Sequence, residues 1–278
     1  MTGSTLDRAF AALELLASAP AGLPLGAVSE ALDLPKSGTH RLLAGLSDRG
    51  YVSQDEATGR YRLTTRLVAL GFRYLAVAGI VDLVQPVLDR LATDTGELVR
   101  LGVVDGDSQT WVAKSQGARS GLRYDADMGS EAPLAPTASG QAWLASLTDE
   151  QALALVARQG FPGTEPPGPN APRTLKALLQ RLAEARRRGY AIVVESSAPG
   201  TSAMAAAIRH PVTGGVVGTV SVAGPSVRLT EARMHDLAPA LLASAAELAD
   251  ASAASPFFAV TSRAPVRTAS PSPRERTA

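Results

Sequence analysis

Lys36, Ser37, His40 and Arg41 crowd into one short stretch, "LPKSGTHRLLAGLSDRGYV" (34–52). One lysine, two arginines and a histidine stand there against a single acid, Asp48. Ammonium and guanidinium groups pair with phosphate. Arginine can also offer two parallel N–H donors to a guanine edge, and serine or histidine can bond a base or a phosphate. The chemistry on offer is recognition of a polyanion that carries ordered hydrogen-bonding edges.

Such side chains need a rigid element. At about 100° per residue, a helix over 36–49 turns Thr39, Leu42, Leu43 and Leu46 to one side. Ser37, Arg41, Ala44 and Asp48 fall opposite, with Lys36 and His40 on one flank and Gly38 and Gly45 on the other. Pro35 suits the first helical position, and Gly50 suits the end. Two amphipathic stretches precede it. Residues 5–20 place Leu6, Phe10, Leu13 and Leu16 at helical spacing, and residues 25–32 repeat the pattern with Leu25, Val28 and Leu32. A β-hairpin follows in "YVSQDEATGRYRL", where alternation puts Arg60 and Arg62 on one face. No acid occurs between Ala57 and Val81, whereas Arg60, Arg62, Arg66 and Arg73 all do. Three helices and a basic hairpin predict a winged helix-turn-helix over 5–65. Its third helix would enter the major groove of DNA, and its wing would hold flanking phosphates.

The chain has 278 residues and a formal net charge of +1, so any basic surface must be local. The length fits two domains of unequal size. There is no cysteine, which excludes disulfides and thiolate chemistry, and the three histidines lie far apart. No metal site and no cofactor is expected. No apolar run approaches the ~18 residues of a membrane span. Asp7 and Glu14 interrupt the N-terminal apolar stretch, so no secretory signal is expected and the predicted compartment is cytoplasmic.

A helical linker is predicted over 66–79. Over 80–254 the order is helix, strands, helices, strands, helix, which reads as an α+β domain with its sheet packed by helices on one side. Residues 255–278, with four prolines and four arginines, read as a disordered tail. In the strand "GTVSVAG", Thr219, Ser221 and Ala223 share one face, and in "SAMAAAI" so do Ala203, Ala205 and Ala207. Small residues leave volume and hydroxyls supply anchors, which suits a small-molecule pocket. Leu122, Tyr124 and Met128 could form its lid. Arg100 could bind a carboxylate or simply be an exposed strand arginine.

The segment "GLPLGAVSEALDLPKSGTHRLLAGLSDRGYVSQDEATGRYRLTTRLVALG" resembles the IclR family of bacterial transcriptional regulators. The resemblance continues through "GSEAPLAPTASGQAWLA", "RRRGYAIVVESSAPGTSAMAAAI" and "GVVGTVSVAGPSVRLTEAR". It implies a GAF-like α+β effector-binding domain after the DNA-binding domain. It also implies dimers, often paired as tetramers, on a palindrome-like double-stranded operator, and a small-molecule effector that controls DNA affinity. It assigns DNA contact to Lys36, Ser37, Gly38, Thr39, His40, Arg41, Arg60 and Arg62. The effector site would involve Tyr124, Met128, Ala138, Ser139, Gly140, Ala203, Thr219, Ser221 and Ala223, with a carboxylate or aromatic acid as the ligand class. Four positions depart from the family's usual pattern. Gly38 replaces a Thr or Ser, Ala135 a His, Gln141 a Lys and Ala203 a Cys.

Two other readings use the same residues. One is a ligand-binding protein that no longer binds DNA, on account of Gly38. The other is a small hydrolase using Ser221 or Ser139 with His210. The chain carries no G-x-S-x-G elbow, phosphate loop or dinucleotide fingerprint, and no catalytic residue is assigned.

Overall fold

The computed structural model describes residues 4–77, 80–124, 128–161 and 167–255. The disordered tail expected after residue 255 lies outside the described residues. The chain forms two compact units, Met1–Val77 and Ala78–Ala278.

The first unit begins with α1 (Thr5–Ala17), α2 (Leu25–Ala31) and α3 (Lys36–Asp48). Ser4 and Asp7 form a capping box at the start of α1, so two otherwise orphaned N–H groups are satisfied. Pro35 is the N-cap of α3 rather than its first helical residue. The hairpin β1 (Val52–Gln54) and β2 (Tyr61–Leu63) follows, then α4 (Thr65–Val77). Leu23 exchanges both backbone hydrogen bonds with Tyr61, an isolated bridge that ties the α1–α2 loop to the wing. The core holds Ala12, Leu16, Val28, Leu43, Leu46, Val52 and Tyr61. Leu6 and Phe10, expected inside from their spacing, are more than half exposed. Leu16 of the same stripe is buried and Leu13 packs against the core, beside fully buried Ala12, whose small side chain lets α1 approach its neighbours closely.

The second unit starts with α5 (Ile80–Thr95), β3 (Leu98–Asp105) and β4 (Ser108–Gln116). Next come α6 (Ala138–Leu144), α7 (Asp149–Gln159) and α8 (Leu175–Arg188). It closes with β5 (Ala191–Val194), β6 (Thr201–Arg209), β7 (Val216–Pro225) and α9 (Glu231–Ala254). The five strands form one antiparallel sheet in the order β4-β3-β7-β6-β5.

Helices cover both faces of this sheet, not one. Val99, Leu101, Met204, Val220 and Val222 are fully buried on the face packed by α5 and α9. Ala203, Ala205 and Ala223 cluster on the other with Ala138 and Ala142 of α6. Apolar residues at both alternate positions of the central strands require two covers. The second cover is possible because its floor is made of alanines.

Two close approaches place the segments above this alanine face. A side chain on Gly140 would put its first carbon 2.3 Å from the Leu134 carbonyl oxygen, so only glycine lets α6 sit against residues 133–137. Glu97, fully buried, takes two hydrogen bonds from the Arg228 guanidinium at 2.6 and 2.8 Å, and Arg228 also donates to the Leu122 carbonyl. That carbonyl lies two residues before Tyr124. Arg228→Ala leaves a buried carboxylate unpaired. It should lower unfolding free energy by about 3 kcal/mol in a denaturant titration, against a far smaller loss for exposed Arg90→Ala.

Candidate nucleic-acid interface and ligand cavity

In the first unit Lys36, Ser37, His40 and Arg41 are all exposed along one side of α3, while Thr39, Leu43 and Leu46 are buried. Thr39 therefore cannot contact DNA from this position. Its hydroxyl donates to the Pro35 carbonyl at 3.2 Å and closes the first turn of the helix. Gly38 needs no left-handed backbone, and a methyl placed on it would meet nothing within 4 Å. Its missing side chain leaves the outward face low at the helix start.

The wing is built by local chemistry. Asp55 accepts from both the backbone N–H and the hydroxyl of Thr58 at 2.8 Å, and these bonds hold its carboxyl below the usual range. Gly59 turns the chain with φ 67°. Arg62, opposite Ser53, is exposed and free to reach outward. Arg60 lies just before β2, and its guanidinium donates to the Gly22 carbonyl at 2.8 Å. It ties the wing to the loop between α1 and α2, a role its alternation with Arg62 does not reveal. Arg8 went unnoticed in the sequence. It lines a surface groove with Ser37, Gly38 and Arg41, so α1 contributes a cation beside α3. The only local signal is a cation directly after the capping-box acid Asp7.

In the second unit a cavity of about 540 Å³ opens above the alanine face. That volume lies within the range of small-molecule sites. Of the expected ligand residues, Tyr124, Ala138, Ser139, Ala203, Ser221 and Ala223 line it. Met128, Gly140 and Thr219 do not. Thr219 is fully buried, and its hydroxyl accepts from Gln109 Nε2 at 2.7 Å. Gly140 is spent on the contact with Leu134. Residues 138–140 form the first turn of α6, capped by Thr137. Leu122 is exposed and anchored only through its carbonyl. Gln141 donates to the Ala135 carbonyl at 2.8 Å, holding the turn whose Ala135 borders the cavity.

Arg100 is 5% exposed, so the exposed-strand reading fails. It stands directly across from Ser221 in the β3–β7 register. Its guanidinium lies 3.9 Å from the ring centre of Trp111, a residue the sequence reading passed over. Trp111 pairs with Gly102 and so shares the face of Arg100, which the hairpin register around residues 105–108 would have revealed. Burial pushes Arg100 down to about 10, with Tyr124 acting in the opposite sense, so it remains charged at neutral pH. Two of its nitrogens, Nε and Nη1, and the Ser221 hydroxyl have no hydrogen-bond partner among the described residues.

His210 accepts the backbone N–H groups of Val212 and Thr213 in the β6–β7 turn and does not border the cavity. It sits five residues along β6 from Ala205, the partner of Ser221, or about 16 Å away. The serine–histidine pair that hydrolysis would need is not assembled.

Comparison with known proteins decides the family. Residues 5–56 match the IclR helix-turn-helix domain, and residues 72–250 match the bacterial transcriptional regulator IclR C-terminal domain. The chain belongs to the IclR family. It is 30% identical over 228 residues to the HTH-type transcriptional repressor AllR of Salmonella paratyphi A, covering 82% of each chain. The solved IclR regulator of Alicyclobacillus acidocaldarius aligns with a TM-score of 0.77 at 24% identity, over 90% of this chain and 99% of that one. An IclR homologue of Microbacterium hydrocarbonoxydans complexed with 4-hydroxybenzoate aligns with a TM-score of 0.72 at 21% identity, over 88% and 99%. This IclR protein is thus a transcriptional regulator with an N-terminal DNA-binding domain and a C-terminal α+β effector domain. None of its helices is long and apolar enough to cross a membrane, among the described residues.

Gly38→Ala should stabilise the first unit by about 0.5–1 kcal/mol, since the site is helical and open. Thermal unfolding checks the sign. A loss of stability would mean that the start of α3 is not helical as described.

Proposed function

We propose that this IclR regulator is a cytoplasmic, non-enzymatic repressor that reads its operator with α3 and releases it in response to a small effector in the second-unit cavity. The observation that carries the reading is the exposed row Lys36, Ser37, His40 and Arg41 on a helix whose opposite side is core. Arg41 and Ser37 are assigned to base edges, and Lys36 and His40 to phosphate or base. The open surface at Gly38 admits the groove wall. Arg62 and Arg8 are assigned to flanking phosphates, and Arg60 contributes mainly by fixing the wing.

One recognition helix spans only a few base pairs, so the working unit is a symmetric dimer or tetramer on a palindrome-like site. Apolar side chains left exposed on α1 (Leu6, Phe10) and α4 (Val68, Leu70, Phe72) support self-association. The effector acts by binding two states of the protein unequally, which is the only way a ligand shifts an equilibrium. The cavity volume, the hydroxyls at its floor and the buried arginine favour a small carboxylate or aromatic acid.

Filter binding to DNA from upstream of the protein's own gene tests the assignment. Arg41→Ala should cost roughly 1–3 kcal/mol on the specific site and relax its sequence preference. Arg62→Ala and Arg8→Ala should weaken all sequences alike and flatten the salt dependence by about one unit per lost contact. Unchanged affinity in Arg41→Ala at fixed salt would remove α3 from base recognition. A changed preference with an unchanged salt slope in Arg62→Ala would make the wing a base reader.

A further inference from the structure

A buried guanidinium without a partner is costly, and proteins ordinarily pair it or expose it. Arg100 does neither. Its Nε and Nη1 lack acceptors, and no described carboxylate forms an ion pair with it. Across the ladder, the Ser221 hydroxyl is 99% buried and also unpartnered. Both residues border the cavity. Among the described lining residues the one acid is Glu131, which is exposed and already accepts from Gln159 Nε2 at 3.0 Å. Ser202 also lines the cavity with an unpartnered hydroxyl, but it carries no charge, and Ala203 and Ala223 lie beside Ser221.

The Trp111 ring beneath the guanidinium explains how the charge is tolerated. Cation–π attraction offsets part of the desolvation while leaving the N–H groups unused. Tyr124 stands 5.8 Å away on the cavity side. The pair therefore forms a corner with a donor-only guanidinium, one hydroxyl and one full positive charge, walled by two aromatic rings.

We infer that Arg100 and Ser221 are the specificity-determining anchor for a small monocarboxylate, whose apolar remainder lies over Ala203 and Ala223 beside Trp111 and Tyr124. This rests on the reading of the cavity as the effector site and names the atoms that select the ligand. The carboxylate supplies the missing acceptors and neutralises the guanidinium. A neutral amide of the same shape cannot do the second and brings N–H donors against donors. The charge, more than the shape of the remainder, is what the corner reads.

The test uses the full-length protein and three acid–amide pairs of graded size: acetate and acetamide, hexanoate and hexanamide, benzoate and benzamide. Binding is followed by tryptophan fluorescence, for which Trp111 is a reporter in the cavity wall, and by thermal shift. For at least one pair the acid should bind about 10- to 100-fold more tightly than its amide. Arg100→Met should collapse that ratio to within about threefold without lowering the melting temperature of the ligand-free protein, since an unpaired charge is removed. A packing role for Arg100 would instead lower that temperature and leave the ratio alone. Arg100→Lys, which keeps the charge but loses the planar fork, should retain only part of the preference and serves if Arg100→Met does not fold. Equal binding of acid and amide by the wild type, no binding by any of the acids, or an acid preference that survives in Arg100→Met overturns the inference. The upstream DNA fragment separates this from the wider reading. Acids that bind through Arg100 but leave DNA affinity unchanged sink the effector role and keep the anchor. Amides that release DNA as well as acids do sink the anchor and keep the effector role.

Discussion

The register of β7 between β3 and β6 governs the second unit. It sets Ser221 opposite Arg100 on one side and Ala205 on the other, and it stacks Ala223 beside Ala203. A shift by one residue would send the valines at 220 and 222 into the cavity and the serine into the interface with α9. Such a slip would leave Arg100 opposite a valine, with no hydroxyl across the ladder from it. The two apolar faces resist the slip: Val220 and Val222 are fully buried on one, while only alanines and Ser221 leave room on the other. The cavity is thus a consequence of unequal side-chain size on the two faces of one strand.

The same economy of size appears in the first unit. Seven buried residues hold three helices and a two-stranded wing, and the basic groups stay outside this core. A near-neutral chain can then present a strongly positive edge, because acids are absent from Ala57 through Val81 and from the start of α3. The edge acts over a Debye length of about 10 Å, so local arrangement matters more to DNA than net charge does. Arg8, Arg41 and Arg62 come from three different elements, and packing alone brings the first two to one groove.

Two arginine environments in the second unit point in opposite directions. Arg228 meets a fully buried carboxylate and carries the Leu122 carbonyl, so its charge is spent on holding structure. Arg100 meets an indole and a cavity, so its charge is left over. Paired charge fixes the approach of the segment before Tyr124, and unpaired charge waits beneath it. That division lets the site be rigid at its wall and unsatisfied at its floor, which is what a ligand with a complementary charge can exploit.

The order of helices and strands, the third helix with its exposed basic side and the hairpin were all legible in the sequence, because each follows from periodicity and from proline and glycine placement. The small-residue face of β6 and β7 was legible too, since strands alternate with period two. What could not be read there depended on which elements meet. Spacing alone put Leu6 and Phe10 inside, but only packing could choose which part of the apolar stripe of α1 is covered. Thr39 and Ser37 are both short polar residues near the start of one helix, yet burial makes one a brace and leaves the other exposed. Thr219 and Ser221 share a face, yet Gln109 from a strand two places away satisfies the first and nothing reaches the second. Arg100 could stand for either an exposed cation or a buried one until the sheet order placed Trp111 beneath it. Sequence determined these residues' local geometry through short-range sterics and periodicity. Their partners, and so their free energies, were decided by contacts between elements far apart along the chain.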